Sequence, residues 1–455
     1  MRLAIFCVLA LTACASAPPA PQVSMGRPHD AVATTALPAM KSFGAPRVAS
    51  PGRSNAQIAR DFLDLEFQME SGRILPVFTR FEGPVTVAIA GQAPPTAAAD
   101  LARLVQRFRT EAGIDIRQTT GPASITVEFL PRERIQATFA NVACFVAPRV
   151  SSWAEYRGAR GGARTDWTTL TVRERVAIFV PSDTSPQEVR DCLHEETAQA
   201  LGPLNDLYRL PDSVFNDDNF HTVLTGFDML VLRLHYAPEL RSGMTRAQVA
   251  AALPGLLARL NPAGERPGPA ADEPTPREWI TAVETALGPR SSAEARRRAA
   301  AHALAIARAQ GWQDARLGFS LFALARMSLG QDATEAAATF AEAARIYRSL
   351  PGGQIHAAHA DMQLAALALS SGQAGQALAL ADAAIPAVAE AENAALLATL
   401  MLIKAEALDL AGRGAEARAV RLDSLGWARY GFGTDAEVRA RMADIAALAP
   451  RGSRG

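Results

Sequence analysis

Between residues 277 and 449 one short phrase returns three times, and no other feature restricts the fold as much. LARMSLGQDATEA ends at Ala336, LALSSGQAGQA at Ala377 and ALDLAGRGAEA at Ala417. The glycines fall at 330, 372 and 412, at intervals of 42 and 40 residues. Strand signals are almost absent, and small residues recur where paired helices would approach closely. A helix–turn–helix unit of this length cannot bury its apolar face without a stacked neighbour, so the period predicts an all-α helical-repeat domain over 277–449. An ordinary bundle with Ala-rich interfaces is the alternative. The preceding segment 261–276, NPAGERPGPAADEPTP, holds five prolines and reads as a linker.

Residues 55–260 follow a different pattern. PVTVAIAG at 84–91, SITVEFL at 124–130, VACFVAP at 142–148 and RVAIFVP at 175–181 are strand candidates, and TAAADLARLVQRFRTEAG at 96–113 has helical spacing. A long helix should start at Ser185, with Pro186 in its first position and Glu188 three residues after the cap, and stop at Gly202. A sheet followed by a long helix predicts an α+β domain.

The ends and the charge narrow the setting. Arg2, an apolar run from Leu3 to Leu11 and then LTAC have the shape of a secretory signal, too short to cross a bilayer. Leu11-Thr12-Ala13-Cys14 resembles a bacterial lipoprotein box, which implies that residues 1–13 are removed and Cys14 is acylated. Ala15 after the cysteine implies the outer membrane, so the chain would sit on the periplasmic face, with lipid as its membrane contact. Residues 14–54, rich in proline, read as a flexible tether. Lys plus Arg and Asp plus Glu are each 46, so no long-range field points to nucleic acid or acidic lipid. Beyond Cys7 and Cys14 only Cys144 and Cys192 remain, and an oxidising compartment favours a disulfide between them. A thiol nucleophile at Cys192 is the alternative, though His194 lies on another face of the same helix.

The stretch HEETAQALGPLND, His194 to Asp206, carries the functional question. A zinc peptidase of the His-Glu-x-x-His type needs two imidazoles one turn apart, and the second place is Ala198. Shifted by one residue, Glu195, Glu196, Gln199, Gly202 and Asn205 resemble the metzincin pattern His-Glu-x-x-His-x-x-Gly-x-x-His, with the glycine expected in a left-handed turn that returns the chain to the site. Ser213 to Phe215 resembles the Ser-x-Met turn beneath a metzincin zinc, and LTGFDMLVLRLHY at 224–236 resembles the closing helix, with Thr225 and Asp228 as its cap pair. Together with SGM at 242–244 these segments resemble the uncharacterised bacterial lipoprotein family called domain-of-unknown-function family 2927. The repeats resemble tetratricopeptide repeats, although their intervals exceed the ~34 residues of that family.

The resemblance implies a metzincin-like domain whose ligands have changed. Gln199 and Asn205 offer neutral amide oxygens of low affinity for zinc. Glu196 stands where the general base would be, but without a metal it has no acidified water to activate. The expectation is therefore no cofactor, with Gln199, Asn205, Glu195 and Glu196 forming a hydrogen-bond network in place of the metal. Zinc is the alternative, on His194, Glu195, Gln199 and Asn205 or with His221 or His235 as an outside donor. Asn205, Asp206, Asn216, Asp217 and Asp218 also supply oxygens of the kind calcium takes. The functional expectation is a lipid-anchored periplasmic scaffold that binds a protein or peptide through its repeats; the alternative is an active zinc peptidase with atypical ligands.

Overall fold

The computed structural model describes residues 36–44, 49–140, 142–268 and 274–450. The signal segment and Cys14 lie outside the described residues. The first domain runs α1 (Asn55–Glu66), β1 (Val85–Gly91), α2 (Ala97–Glu111), β2 (Ile116–Gln118), β3 (Ile125–Leu130), α3 (Arg132–Gln136), β4 (Phe145–Pro148), α4 (Trp153–Ala159), β5 (Val176–Pro181), α5 (Pro186–Leu201), α6 (Gly226–His235) and α7 (Arg246–Leu260). Its five strands are ordered β2-β1-β3-β5-β4, with β1, β2, β3 and β5 parallel and β4 antiparallel to β5.

Strand β5 is buried along its whole length because the sheet is covered on both faces, which is why its sequence is continuously apolar rather than alternating. Val176, Ile178 and Val180 join the main core with α2 and α5. Ala177 and Phe179 face a second cluster, where Phe179 meets Phe145, Trp153 and Tyr156 at ring separations of 5.0, 5.2 and 5.5 Å.

The second part is all helix: α8 (Arg277–Leu287), α9 (Ala293–Ala309), α10 (Ala315–Ser328), α11 (Ala333–Arg348), α12 (Gln354–Ser370), α13 (Ala374–Glu390), α14 (Ala394–Leu410), α15 (Gly414–Phe432) and α16 (Asp435–Ala446). The repeated phrases end α10, α12 and α14 and start α11, α13 and α15. Helices α12 and α14 are apolar around most of their circumference, and every residue from Asn393 to Ile403 is buried. Such a helix needs partners on both sides. Neighbouring repeat helices supply one side and the first domain the other.

That docking is specific. Phe220, from the loop before α6, lies 5.8, 5.2, 4.8 and 4.5 Å from the rings of Phe319, Phe322, His356 and His359. Tyr208 packs edge-on against Trp279 at 4.9 Å. Gln187 on α5 donates to Asn393 Oδ1 at 3.1 Å and accepts from the Ala395 amide at 2.8 Å. Residues 36–44, expected to be part of a flexible tether, instead pack on α15, with Phe43 stacked on Trp427 at 4.5 Å and the Lys41 amide donating to Gly426 O at 3.0 Å. One aromatic ring decides this, and the average composition of the stretch conceals it.

Candidate functional site

Helix α5 is held at both ends by local chemistry. The Ser185 hydroxyl accepts the Glu188 amide at its start, and Pro186 occupies the first turn, where no intrahelical N–H is needed. At its end the buried guanidinium of Arg173 donates to Gln199 O at 2.6 Å, to Ala200 O at 2.8 Å and to Gly202 O. A cation there satisfies carbonyls the helix leaves open and suits the negative end of its dipole. Burial lowers the pKa of Arg173 to about 10, so it stays charged at neutral pH.

Gly202 does not adopt the expected left-handed turn; its φ is −153°. It is glycine for a different reason, since a Cβ would come within 3.0 Å of the His235 ring. His235 is itself held by Glu66, with Nδ1 2.8 Å from Oε1, and lies 4.4 Å from Phe78. Cys192 on α5 is joined by a disulfide to Cys144, just before β4, with Cα atoms 6.0 Å apart. Below α5, Ser213 donates to Asp228 Oδ1 at 2.5 Å, and Asp228 also accepts the Val214 and Thr225 amides at 3.2 and 2.7 Å. The turn carrying Phe215 is thus tied to the start of α6. Burial raises Asp228 to about 6.

The expected ligand set is split. His194 accepts the Leu224 amide on Nδ1 at 3.2 Å and faces Arg190, Arg107 and Arg103, away from the carboxylates. His221 Nε2 lies 3.1 Å from Pro211 O. Asn205 donates to Asp64 O at 2.9 Å, next to the Leu204 amide bond to Leu65 O, because the segment after Gly202 crosses the end of α1. In an extended segment neighbours point to opposite sides, so Asp206 rather than Asn205 faces α5. The expected amide network is absent: among the described residues neither Asn205 nor the buried side chain of Gln199 hydrogen-bonds Glu195 or Glu196. Asn216 Oδ1 accepts the Asp218 amide at 3.3 Å, and Asp218 accepts the Phe220 amide on Oδ1 at 3.0 Å and meets Asn216 Nδ2 and His356 Nε2 on Oδ2, each at 2.8 Å. Both residues of the oxygen set considered for calcium are thus engaged elsewhere.

Glu195, Glu196, Asp206, Asp217 and Glu70 come together instead. Solvent reaches Glu70 and Asp217, partly reaches Glu195 and Asp206, and scarcely reaches Glu196, which is 4% exposed. The group therefore lines a cleft whose floor is Glu196. Desolvation, then repulsion from Glu70, Asp217 and Asp191, raises Glu195 to about 8. Crowding around Asp217 raises its pKa while a 2.6 Å hydrogen bond from the Tyr208 hydroxyl opposes the rise, and solvent at its exposed side screens the shift. Glu196 and Asp206 are pushed well above the usual range, mainly by burial. Among the described residues Glu196 Oε2 and Asp206 Oδ1 have no hydrogen-bond partner. Such a cleft holds protons at neutral pH and favours cationic groups.

The metzincin resemblance implies zinc, and these residues do not fit it. Among the described residues no imidazole reaches the cleft, and no group of three or more His, Cys, Asp or Glu is arranged to hold a metal ion. Sequence reasoning weighed Glu195 and Glu196 at the site, placed Asp206 and Asp217 only in a calcium set, and missed Glu70, Tyr208 and Arg173. Residues 55–255 match the family described as Protein of unknown function (DUF2927). The DUF2927 match covers α1 through most of α7 and contains every carboxylate of the cleft. Searches of curated proteins and of solved structures find no match. Among the described residues no helix is long and apolar enough to cross a membrane.

Proposed function

We propose that this chain is a lipid-anchored periplasmic scaffold or binding protein, in which a degenerate metzincin-like domain no longer catalyses peptide hydrolysis and is braced by tetratricopeptide-like repeats. The observation that carries the reading is the composition of the cleft: Ala198 stands at the second imidazole position, and carboxylates with raised pKa surround Glu196. Zinc hydrolases need a ligand set that acidifies a bound water, and these residues supply none. The packing of α12 and α14 on the first domain supports a bracing role, since the inner repeat layer is covered by the chain itself. A peptide partner would then dock either by displacing the loop around Phe220 or on the outer repeat helices.

The second reading, an active peptidase with atypical ligands, draws on one feature: among the described residues Glu196 Oε2 lacks a partner at the position of the general base. A casein-cleavage assay with added zinc separates the two. The scaffold reading expects no cleavage above that of the Glu196→Gln variant; cleavage that disappears in that variant supports the peptidase. The anchor is tested separately by Cys14→Ser, which should leave the membrane fraction.

A further inference from the structure

A small cavity lies where the first domain, residues 36–44 and the repeats meet, on the side of α5 opposite the carboxylate cleft. Asp100, Arg103 and Arg107 of α2, Arg190 and His194 of α5, and Glu392 and Tyr430 of the repeats line it. Arg107 is 8% exposed, Arg190 4% and Asp100 3%. Much of their hydrogen-bonding capacity is already used. Arg107 holds Glu111 and donates to Leu224 O at 2.9 Å, Arg190 donates to Glu392 O at 2.8 Å and pairs with Glu392 Oε2 at 3.6 Å, and Asp100 Oδ1 accepts the Tyr430 hydroxyl at 3.1 Å and holds the more exposed Arg103. Four buried atoms remain without a partner among the described residues: two donors, Arg107 Nη1 and Arg190 Nε, and two acceptors, Asp100 Oδ2 and Glu392 Oε1. His194 accepts on Nδ1, so its neutral ring carries its proton on Nε2 as a further donor.

A second observation singles out Glu392. Glycines 311, 352, 372, 412 and 433 adopt positive φ at or just beyond the ends of α9, α11, α12, α14 and α15. After α13 the corresponding residue is Glu392, with φ of 55°, a conformation an L side chain adopts at a cost. A strained backbone at a residue whose carboxyl lies in a polar cavity points to a function for that side chain.

We propose that this cavity binds a small zwitterion, a free amino acid of glycine or alanine size. Its carboxylate would rest on Arg107 and Arg190, and its ammonium between Asp100 and Glu392. A simple anion would leave both acceptors unpaired and sit beside two carboxylates; a simple cation would leave both guanidinium donors unpaired. The space is that of roughly two or three water molecules, which limits the ligand to a few heavy atoms. Leu104 and Phe43 supply an apolar wall large enough for a methyl group. Burial raises both Asp100 and Glu392, and an ammonium between them would reverse that effect.

The test is calorimetric titration and thermal melting of the full chain after exhaustive dialysis, with glycine, L-alanine, L-leucine, acetate and methylammonium. Glycine and alanine should bind saturably and raise the melting temperature, while the other three bind at least about tenfold more weakly. Arg190→Gln and Glu392→Gly should each weaken glycine binding by about tenfold or more. Glu392→Gly relieves the backbone strain but removes the ion pair with Arg190, so a cooperative melt and a native circular-dichroism spectrum of the unliganded variant keep a binding loss distinct from misfolding. No binding of glycine or alanine to the wild type would mean a water-filled cavity, and acetate binding as well as glycine would mean a plain anion hole. Either result overturns the proposal.

Discussion

His356 Nε2 lies 2.8 Å from Asp218 Oδ2, and both side chains are almost completely buried. The two residues belong to different halves of the chain, and the ring of Phe220, two residues after Asp218, packs against His356 and His359. This loop is thus the lock between the halves. Phe220→Ala should destabilise the protein by about 3 to 5 kcal/mol, as truncation of a buried ring does, and Asp218→Ala by about 1 to 3 kcal/mol by leaving buried polar atoms unpaired. Urea unfolding of the full chain measures both. Values near zero would mean that the halves do not depend on this contact.

The disulfide gives an independent prediction for the first domain. Cys144 and Cys192 are 48 residues apart in sequence, and a closed loop of that length restricts the unfolded chain by about 4 kcal/mol. The double variant Cys144→Ser, Cys192→Ser should lose stability of that order. Free-thiol titration of unfolded, unreduced protein should find neither residue reactive, and two reactive thiols would contradict the structure.

The cleft should make stability depend on pH in a defined direction. Glu195 has a folded pKa of about 8 against an ordinary value of 4.5, so the folded state holds its proton more tightly than the unfolded chain. Its contribution is complete below about pH 4.5 and is lost as pH rises towards 8. Glu195→Gln, which stays neutral, should therefore melt higher than wild type at pH 8, and the gap should close towards pH 4.5. A constant gap across that range would show that Glu195 titrates normally.

What the sequence revealed follows from the range of each interaction. Helix α5 was legible because its signals, Ser185, Pro186, Glu188 and Gly202, are local. The four longer strands were legible from their β-branched runs, whereas β2 was not, with three residues and Ile116 alone buried. Arg173 escaped because it caps carbonyls 26 to 29 residues further along the chain. The exchange of Asn205 for Asp206 escaped because contact with α1, not local pattern, sets which of the two faces α5. The pair α8 and α9 lacks the repeated phrase and is anchored instead by Trp279, whose indole donates to Ser320 at 2.9 Å. FNDDNF reads as a polar turn, and nothing local shows that Phe220 and Asp218 enter the repeats.

Because Arg173 holds the end of α5 through charged hydrogen bonds, Arg173→Ala should cost about 3 kcal/mol or more, read in the same urea experiment. A loss below about 1 kcal/mol would show that water replaces the guanidinium at those carbonyls.

The central claim is that the cleft around Glu196 has left zinc chemistry behind, and metal content measured with thermal melting tests it most directly. Protein purified without added metal should contain substoichiometric zinc, and a strong chelator should leave its melting temperature unchanged. A metal that binds only the folded state stabilises it by mass action. One tightly held zinc per chain, with a melting temperature that falls on chelation and a site abolished by Glu195→Ala, would contradict the account.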